Sequence, residues 1–179
     1  MMKRLLLPLL ALIGGCADPA AEHLGGFGDP VRGAALNAPR LLGDTSRLAG
    51  NPAQAARAAV QLEVLADAFR NDPRYGPEVS GPAQHSVTLG RTEMRRAIGI
   101  APDAPPGAVI AQLRAAADAL DAGSSARTEA ALTGPMFPAG PRATLARLAS
   151  LPFLPRVSEA AGAAVSEIRR LDATSRAGT

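Results

Sequence analysis

The chain has 179 residues, 47% of them hydrophobic and 20% charged, with a formal net charge of +3, 3% aromatic side chains, no tryptophan and one cysteine. A chain of this size and balance suits a single domain, and the near-equality of its cations and acids gives no basis for a nucleic-acid-binding surface. One cysteine leaves no partner for a disulfide and too few ligands for a thiolate metal site.

In chain order, the first element is an export signal. Lys3 and Arg4 precede the apolar run 5–13, which is followed by small residues, the physical parts of a secretory signal peptide. At nine residues that run is too short to span a membrane. It ends in Ile13-Gly14-Gly15-Cys16. An apolar residue, two glycines and then the only cysteine resemble the lipobox of bacterial lipoproteins. The resemblance covers residues 1–16 alone and implies that residues 1–15 are removed and that Cys16 is lipidated. The mature chain would then be held at a membrane by palmitate and related acyl chains, on the periplasmic face. Acyl chains contribute about 0.8 kcal/mol per buried CH2, so more than one chain is what makes such attachment durable. The residue after the cysteine is Ala17, not an acid. Under the sorting rule of enterobacterial lipoproteins this favours the outer membrane over the inner one. Loss of Lys3 and Arg4 with the signal brings the formal charge to +1, and every Lys/Arg cation of the mature chain is then an arginine.

Residues 16–28, ADPAAEHLGGFG after the cysteine, carry too little apolar side chain to offset the entropy of ordering and read as a flexible tether. Gly26-Phe27-Gly28 looks faintly like the start of a dinucleotide fingerprint, but no strand precedes it and the third glycine is absent. The helical domain is expected over 29–172. Asp29-Pro30 forms a cap and first-turn proline for a short helix to about Asn37, with Pro39 ending it. Asn51-Pro52 opens the clearest helix, which runs to about Asn71; Ala58, Leu62, Leu65 and Phe69 form one stripe, while Val60 and Val64 lie on another side, so this helix has neighbours on two faces. Residues 72–82 form a Pro/Gly loop in which Tyr75, the only tyrosine, serves as an anchor. A helix from Ala83 to Ile98 turns Val87, Met94 and Ile98 inward, with Gly99 as its C′ residue. Further helices are expected from Asp103 or Ala104 to Asp121, with Val109, Leu113, Ala116 and Leu120 inward; from Ser125 to Leu132; from Arg142 to about Leu151; and from Arg156 to Leu171, with Val157, Ala161, Ala164 and Ile168 inward. The tail 173–179 reads as disordered. No run of alternating β-branched residues marks a strand. The expected class is therefore all-α: a small irregular bundle of about five to six helices with Pro/Gly-rich loops, preceded by a tether. Many inward positions are alanine, which lets helices approach closely but buries little area per residue.

The catalytic motifs searched for are missing from this sequence: there is no GxSxG, HExxH, P-loop or CxxC. The two histidines give no such site either. His23 falls in the tether, and His85 neighbours Ser86 on a helix, where adjacent side chains point about 100° apart. Glu63, Asp67 and Glu93 are the carboxylates that dispersed catalysis would draw on, but nothing in their spacing singles them out. The expectation is a binding protein and not an enzyme, with no cofactor, no metal and no nucleic-acid partner.

Two features carry the binding expectation. Arg91, Arg95 and Arg96 cluster around Glu93, with Arg91 and Arg95 on one face at i and i+4, where like charges cost a few tenths of a kcal/mol and an anion relieves them. Lipid headgroups or cell-wall carboxylates are suitable anions for guanidinium forks, and acids on neighbouring helices are the plainer partners. The second feature is a pair of proline-bracketed apolar segments, Gly134-Pro135-Met136-Phe137-Pro138 and Leu151-Pro152-Phe153-Leu154-Pro155. Their Met136, Phe137, Phe153 and Leu154 either meet an apolar partner or close the ends of an aromatic-poor core. The expected partners are thus the membrane through Cys16 and another envelope protein or a cell-wall polymer.

Overall fold

In the computed structural model the described residues are 29–177, with side chains through 175. Cys16, His23 and the expected tether lie outside them. Among the described residues there is no strand. The described residues form seven α-helices and one 3-10 turn: α1 (Pro30–Leu42), the turn Thr45–Leu48, α2 (Pro52–Asn71), α3 (Gly81–Ile98), α4 (Pro106–Asp121), α5 (Ser125–Ala131), α6 (Gly140–Ala149) and α7 (Pro155–Ala177). The all-α class follows the sequence, and each of the seven helices read along the chain has its counterpart here, against the five to six given for the bundle as a whole.

Apart from α5, the helices start where polar caps or first-turn prolines direct them. The Asp29 carboxylate accepts the Arg32 amide at 3.0 Å and the Asn51 side chain accepts that of Gln54 at 3.0 Å, each just before a first-turn proline. Asp72 closes the loop after α2 by accepting the amides of Arg74 (2.8 Å) and Tyr75 (3.1 Å). α3 ends on Gly99, whose φ of +87° is the left-handed conformation that a C-terminal glycine supplies without strain.

α2 is the hub, packed against α1, α3, α4 and α6, while α7 closes the bundle against α3 and α1. Hence Leu62, Leu65 and Phe69 are buried on one stripe and Val60 on another. The α3–α7 crossing is close because Gly90 faces Ala160: a Cβ at position 90 would lie 2.6 Å from that of Ala160. The two helices run antiparallel and cap each other. Glu93 of α3 accepts the Val157 amide in the first turn of α7 at 3.0 Å, and Glu167 of α7 accepts the Ser80 amide at 2.6 Å where α3 begins.

Several boundaries depart from the sequence expectation. Pro39 does not end α1, which continues to Leu42. A proline ten residues into a helix forfeits one backbone bond, and here the following turn buries Leu42 completely. α4 begins at Pro106, not at Asp103 or Ala104. The Ala104 amide is spent on a turn to the Ala101 carbonyl, and Pro106 pushes Pro105 out of the helical region. α7 runs through Ala177, so the stretch 173–177 is helical rather than a disordered tail. The turn 45–48 was too short to show as a periodic pattern.

Candidate functional site

The proline-bracketed segments belong mainly to the core. Phe137 and Leu132 are fully buried, Leu154 is nearly so, and Met136 packs half-buried against them. The Thr45 hydroxyl pins the second segment, donating to the Pro152 carbonyl at 2.6 Å and accepting the Leu154 amide at 3.0 Å. Of the four residues expected at an apolar contact surface, Met136, Phe137 and Leu154 thus stabilise the fold, and Phe153 alone is exposed, at 53%. Sequence spacing could not separate the two cases, because a proline bracket fixes the backbone without saying which side of it meets the core.

The arginine cluster divides as well. Arg95 is buried on α3 and forms a two-pronged ion pair with Glu63 of α2, Nε to Oε1 at 2.6 Å and Nη2 to Oε2 at 2.7 Å. Its remaining nitrogen, Nη1, donates to the carbonyls of Pro102 (3.0 Å) and Ala104 (2.9 Å). Arg95 is therefore a structural cation, not an anion contact. The other two carboxylates weighed for catalysis are also engaged: Asp67 accepts from the Asn71 side chain at 2.7 Å, and Glu93 caps α7. His85 is exposed on α3.

What Arg95 holds is one wall of a cleft. With the 101–104 loop fixed by its guanidinium, the Ala101 amide donates to the Met136 carbonyl at 2.9 Å, which brings Pro138 and Ala139 alongside. The cleft so formed, of about 620 Å³, lies among α3, this loop and α6, and is lined by Arg91, Arg96, Gly99, Pro102, Pro138 and Arg147 among others. Among the described residues, the guanidiniums of Arg91, Arg96 and Arg147 make no hydrogen bond or ion pair. Arg147 comes from α6, and its guanidinium lies so close over Gly99 that any Cβ there would overlap it. Sequence reasoning did not single out Arg147. It stands 51 residues beyond Arg96 in the numbering, and only the packing of α6 against α3 brings the two to one cleft.

The backbone donors in this wall are already used. The amides of Gly99 and Ile100 both donate to the Arg95 carbonyl at 2.8 Å. The donors that remain are the guanidiniums. Burial lowers the Arg91 pKa from its ordinary value; the charges of Glu63 and Asp67 oppose that shift, and those of Arg95 and Arg70 add to it. Arginine stays protonated through such shifts. The C-terminal ends of α3 and α6 favour Arg95 and Arg96 on the one helix and Arg147 on the other through the helix dipoles.

A second cleft, of about 370 Å³, opens where α4, α5 and α6 meet, between Leu120, Leu132 and Leu145 with Glu129 and Arg142 at its sides. Among the described residues no group of three or more His, Cys, Asp or Glu is placed to hold a metal ion, and no helix is long and apolar enough to cross a membrane. Compared with protein-family models, curated proteins and solved structures, the chain matches none.

Proposed function

We propose that this chain is a lipid-anchored helical module on the periplasmic face of the cell envelope, attached through Cys16 to the outer membrane in preference to the inner, and that it binds an anionic envelope component. Binding, not catalysis, is its activity, and neither a metal nor a cofactor takes part. The observation that carries the reading is the gathering of Arg91, Arg96 and Arg147, none of them salt-bridged to a carboxylate among the described residues, around one cleft. Guanidinium forks recognise carboxylate and phosphate groups in two-pronged fashion, and a volume of this order suits a small ligand or the end of a polymer. The anchor rests on the lipobox resemblance of Ile13 to Cys16. The cleft volume also favours a second form of the same reading, in which the partner is a small molecule or a cell-wall fragment rather than a protein.

The test compares wild type, Cys16→Ser and the triple variant Arg91→Gln/Arg96→Gln/Arg147→Gln in cells. Labelled palmitate is expected on the wild type and the triple variant and not on Cys16→Ser. Crosslinked envelope material is expected on the wild type and to be lost in the triple variant, whose melting temperature stays unchanged because the three side chains hold nothing else. Equal crosslinking in wild type and triple variant overturns the cleft as the binding site, and absence of palmitate from the wild type overturns the anchor.

A further inference from the structure

The charge and shape of the cleft say which anion it takes. Arg95 contributes no net charge, since Glu63 neutralises it at 2.6 and 2.7 Å. The lining then holds Arg91, Arg96 and Arg147, whose guanidiniums reach it from two helices with no hydrogen-bonded carboxylate and with no carboxylate in the wall. A single carboxylate carries one negative charge and two coplanar oxygens, which one or two forks satisfy. A phosphate monoester carries about −1.5 to −2 at neutral pH, and its three terminal oxygens point in separate directions, so forks can approach from three sides. The cleft is also several times larger than a bare phosphate. Its remaining wall of Ile100, Ala101, Pro102, Pro138 and Ala139 is apolar or weakly polar and suits an uncharged body attached to the anion.

Building on the proposed anion-binding function, we infer that the ligand carries a phosphomonoester or diphosphate group, held by Arg91, Arg96 and Arg147, with its neutral portion against the Ile100–Pro102 and Pro138–Ala139 walls. Such a group belongs either to a soluble phosphorylated molecule or to the headgroup of a phosphomonoester lipid. Arg91, half-buried where the others are exposed, is the residue whose loss weakens binding most, because its hydrogen bonds to the ligand form furthest from water.

The experiment uses the full chain in non-ionic detergent and titrates inorganic pyrophosphate and the tricarboxylate tricarballylate, which has a similar charge, by calorimetry at two salt concentrations. Pyrophosphate is expected to bind at least tenfold tighter than tricarballylate, to weaken about ten- to hundredfold in Arg91→Gln, and to be undetectable in the triple variant. Flotation with vesicles of phosphatidylcholine, with and without phosphatidic acid, then separates the sources. An arginine-dependent increase with phosphatidic acid assigns the phosphate to a lipid headgroup, and no increase assigns it to a soluble ligand. Tricarballylate binding as tightly as pyrophosphate overturns the phosphate assignment and leaves the anion cleft standing. Should neither anion bind while crosslinking in cells still depends on the three arginines, the phosphate inference fails and the proposed function survives. If crosslinking is also independent of them, both fall.

Discussion

Arg95 shows how one residue can look like a ligand contact in a sequence and be a framework residue in the fold. Its guanidinium and the Glu63 carboxylate are each almost wholly buried, so removing one strands the other charge in a low-dielectric interior. Glu63→Gln or Arg95→Met is expected to cost about 3–5 kcal/mol in urea unfolding, whereas the double variant Glu63→Met/Arg95→Met recovers most of that loss. Single variants as mild as Arg156→Ala, which breaks an exposed pair with Glu159, would contradict this account. Tyr75 offers a second test, made clean by its being the only tyrosine. Burial first, and then its 2.5 Å hydrogen bond to the Asp29 carboxylate, raise its phenol pKa above the ordinary value of 10.0. A raised folded-state pKa means that the unfolded chain gives up this proton first, so the contribution of Tyr75 to stability is intact below pH 10 and falls as pH rises beyond it. Absorbance at 295 nm should therefore show ionisation in one steep step that coincides with loss of helical circular dichroism. A broad, independent titration near pH 10 with the helices intact would refute it.

The α3–α7 pair is where element-level design is most visible, since each helix supplies the carboxylate that caps the other and a glycine sets their separation. Gly90→Ala should gain about 1 kcal/mol of helix propensity yet destabilise the protein, because the new methyl would lie 2.6 Å from the Ala160 Cβ and 2.9 Å from the Arg156 carbonyl oxygen. Overpacking of this kind costs about 1–3 kcal/mol, and Ala160→Gly in the same chain is expected to restore part of the loss in a thermal melt. The caps answer to pH. Glu167 is held below its ordinary pKa of 4.5, first by the Arg170 side chain, which donates at 2.6 Å, and then by the amide and hydroxyl of Ser80. Its stabilising share is present above pH 4.5 and is lost as pH falls through the lowered value, because there the unfolded chain binds the proton first. Below pH 4.5 the melting temperature of Glu167→Gln should thus decline less steeply than that of wild type. Parallel declines in the two proteins would mean that the carboxylate of Glu167 has no part in joining the helices.

For the whole molecule, the helices legible in the sequence are those whose apolar stripes match one dominant neighbour. Val109, Leu113 and Ala116 on α4 and Val157, Ala161, Ala164 and Ile168 on α7 are buried where a period of 3.6 residues places them. Of the boundaries that shifted, Pro39 is where burial of Leu42 outweighs the local signal, whereas α4 starts late because Pro106 holds Pro105 out of the helical region, and α7 continues past Ala173 through exposed residues. The cleft was half legible: Arg91 and Arg96 stand out as a local cluster, but neither the burial of Arg95 nor the arrival of Arg147 follows from spacing, since both depend on which helices meet. The extension of α7 has its own reason. Arg32 of α1 reaches Asp172 with Nη2 at 2.8 Å and Nε at 3.2 Å, and Asp29, at the head of α1, accepts from Arg74 and Tyr75. Both ends of the described chain are thus fastened to one corner of the bundle. Beyond Asp172, residues 173–175 are exposed and bury no apolar side chain. A stop codon after Asp172 should therefore change the free energy of urea unfolding little, by less than about 0.5 kcal/mol. A stop after Ile168 removes Arg170, half-buried Leu171 and Asp172 together, unfastens α1 from α7, and should lower stability by about 2 kcal/mol or more. Equal effects of the two truncations would show that α7 is held by its Gly90 crossing alone, and that the corner where Arg32 meets Asp172 adds nothing to the fold.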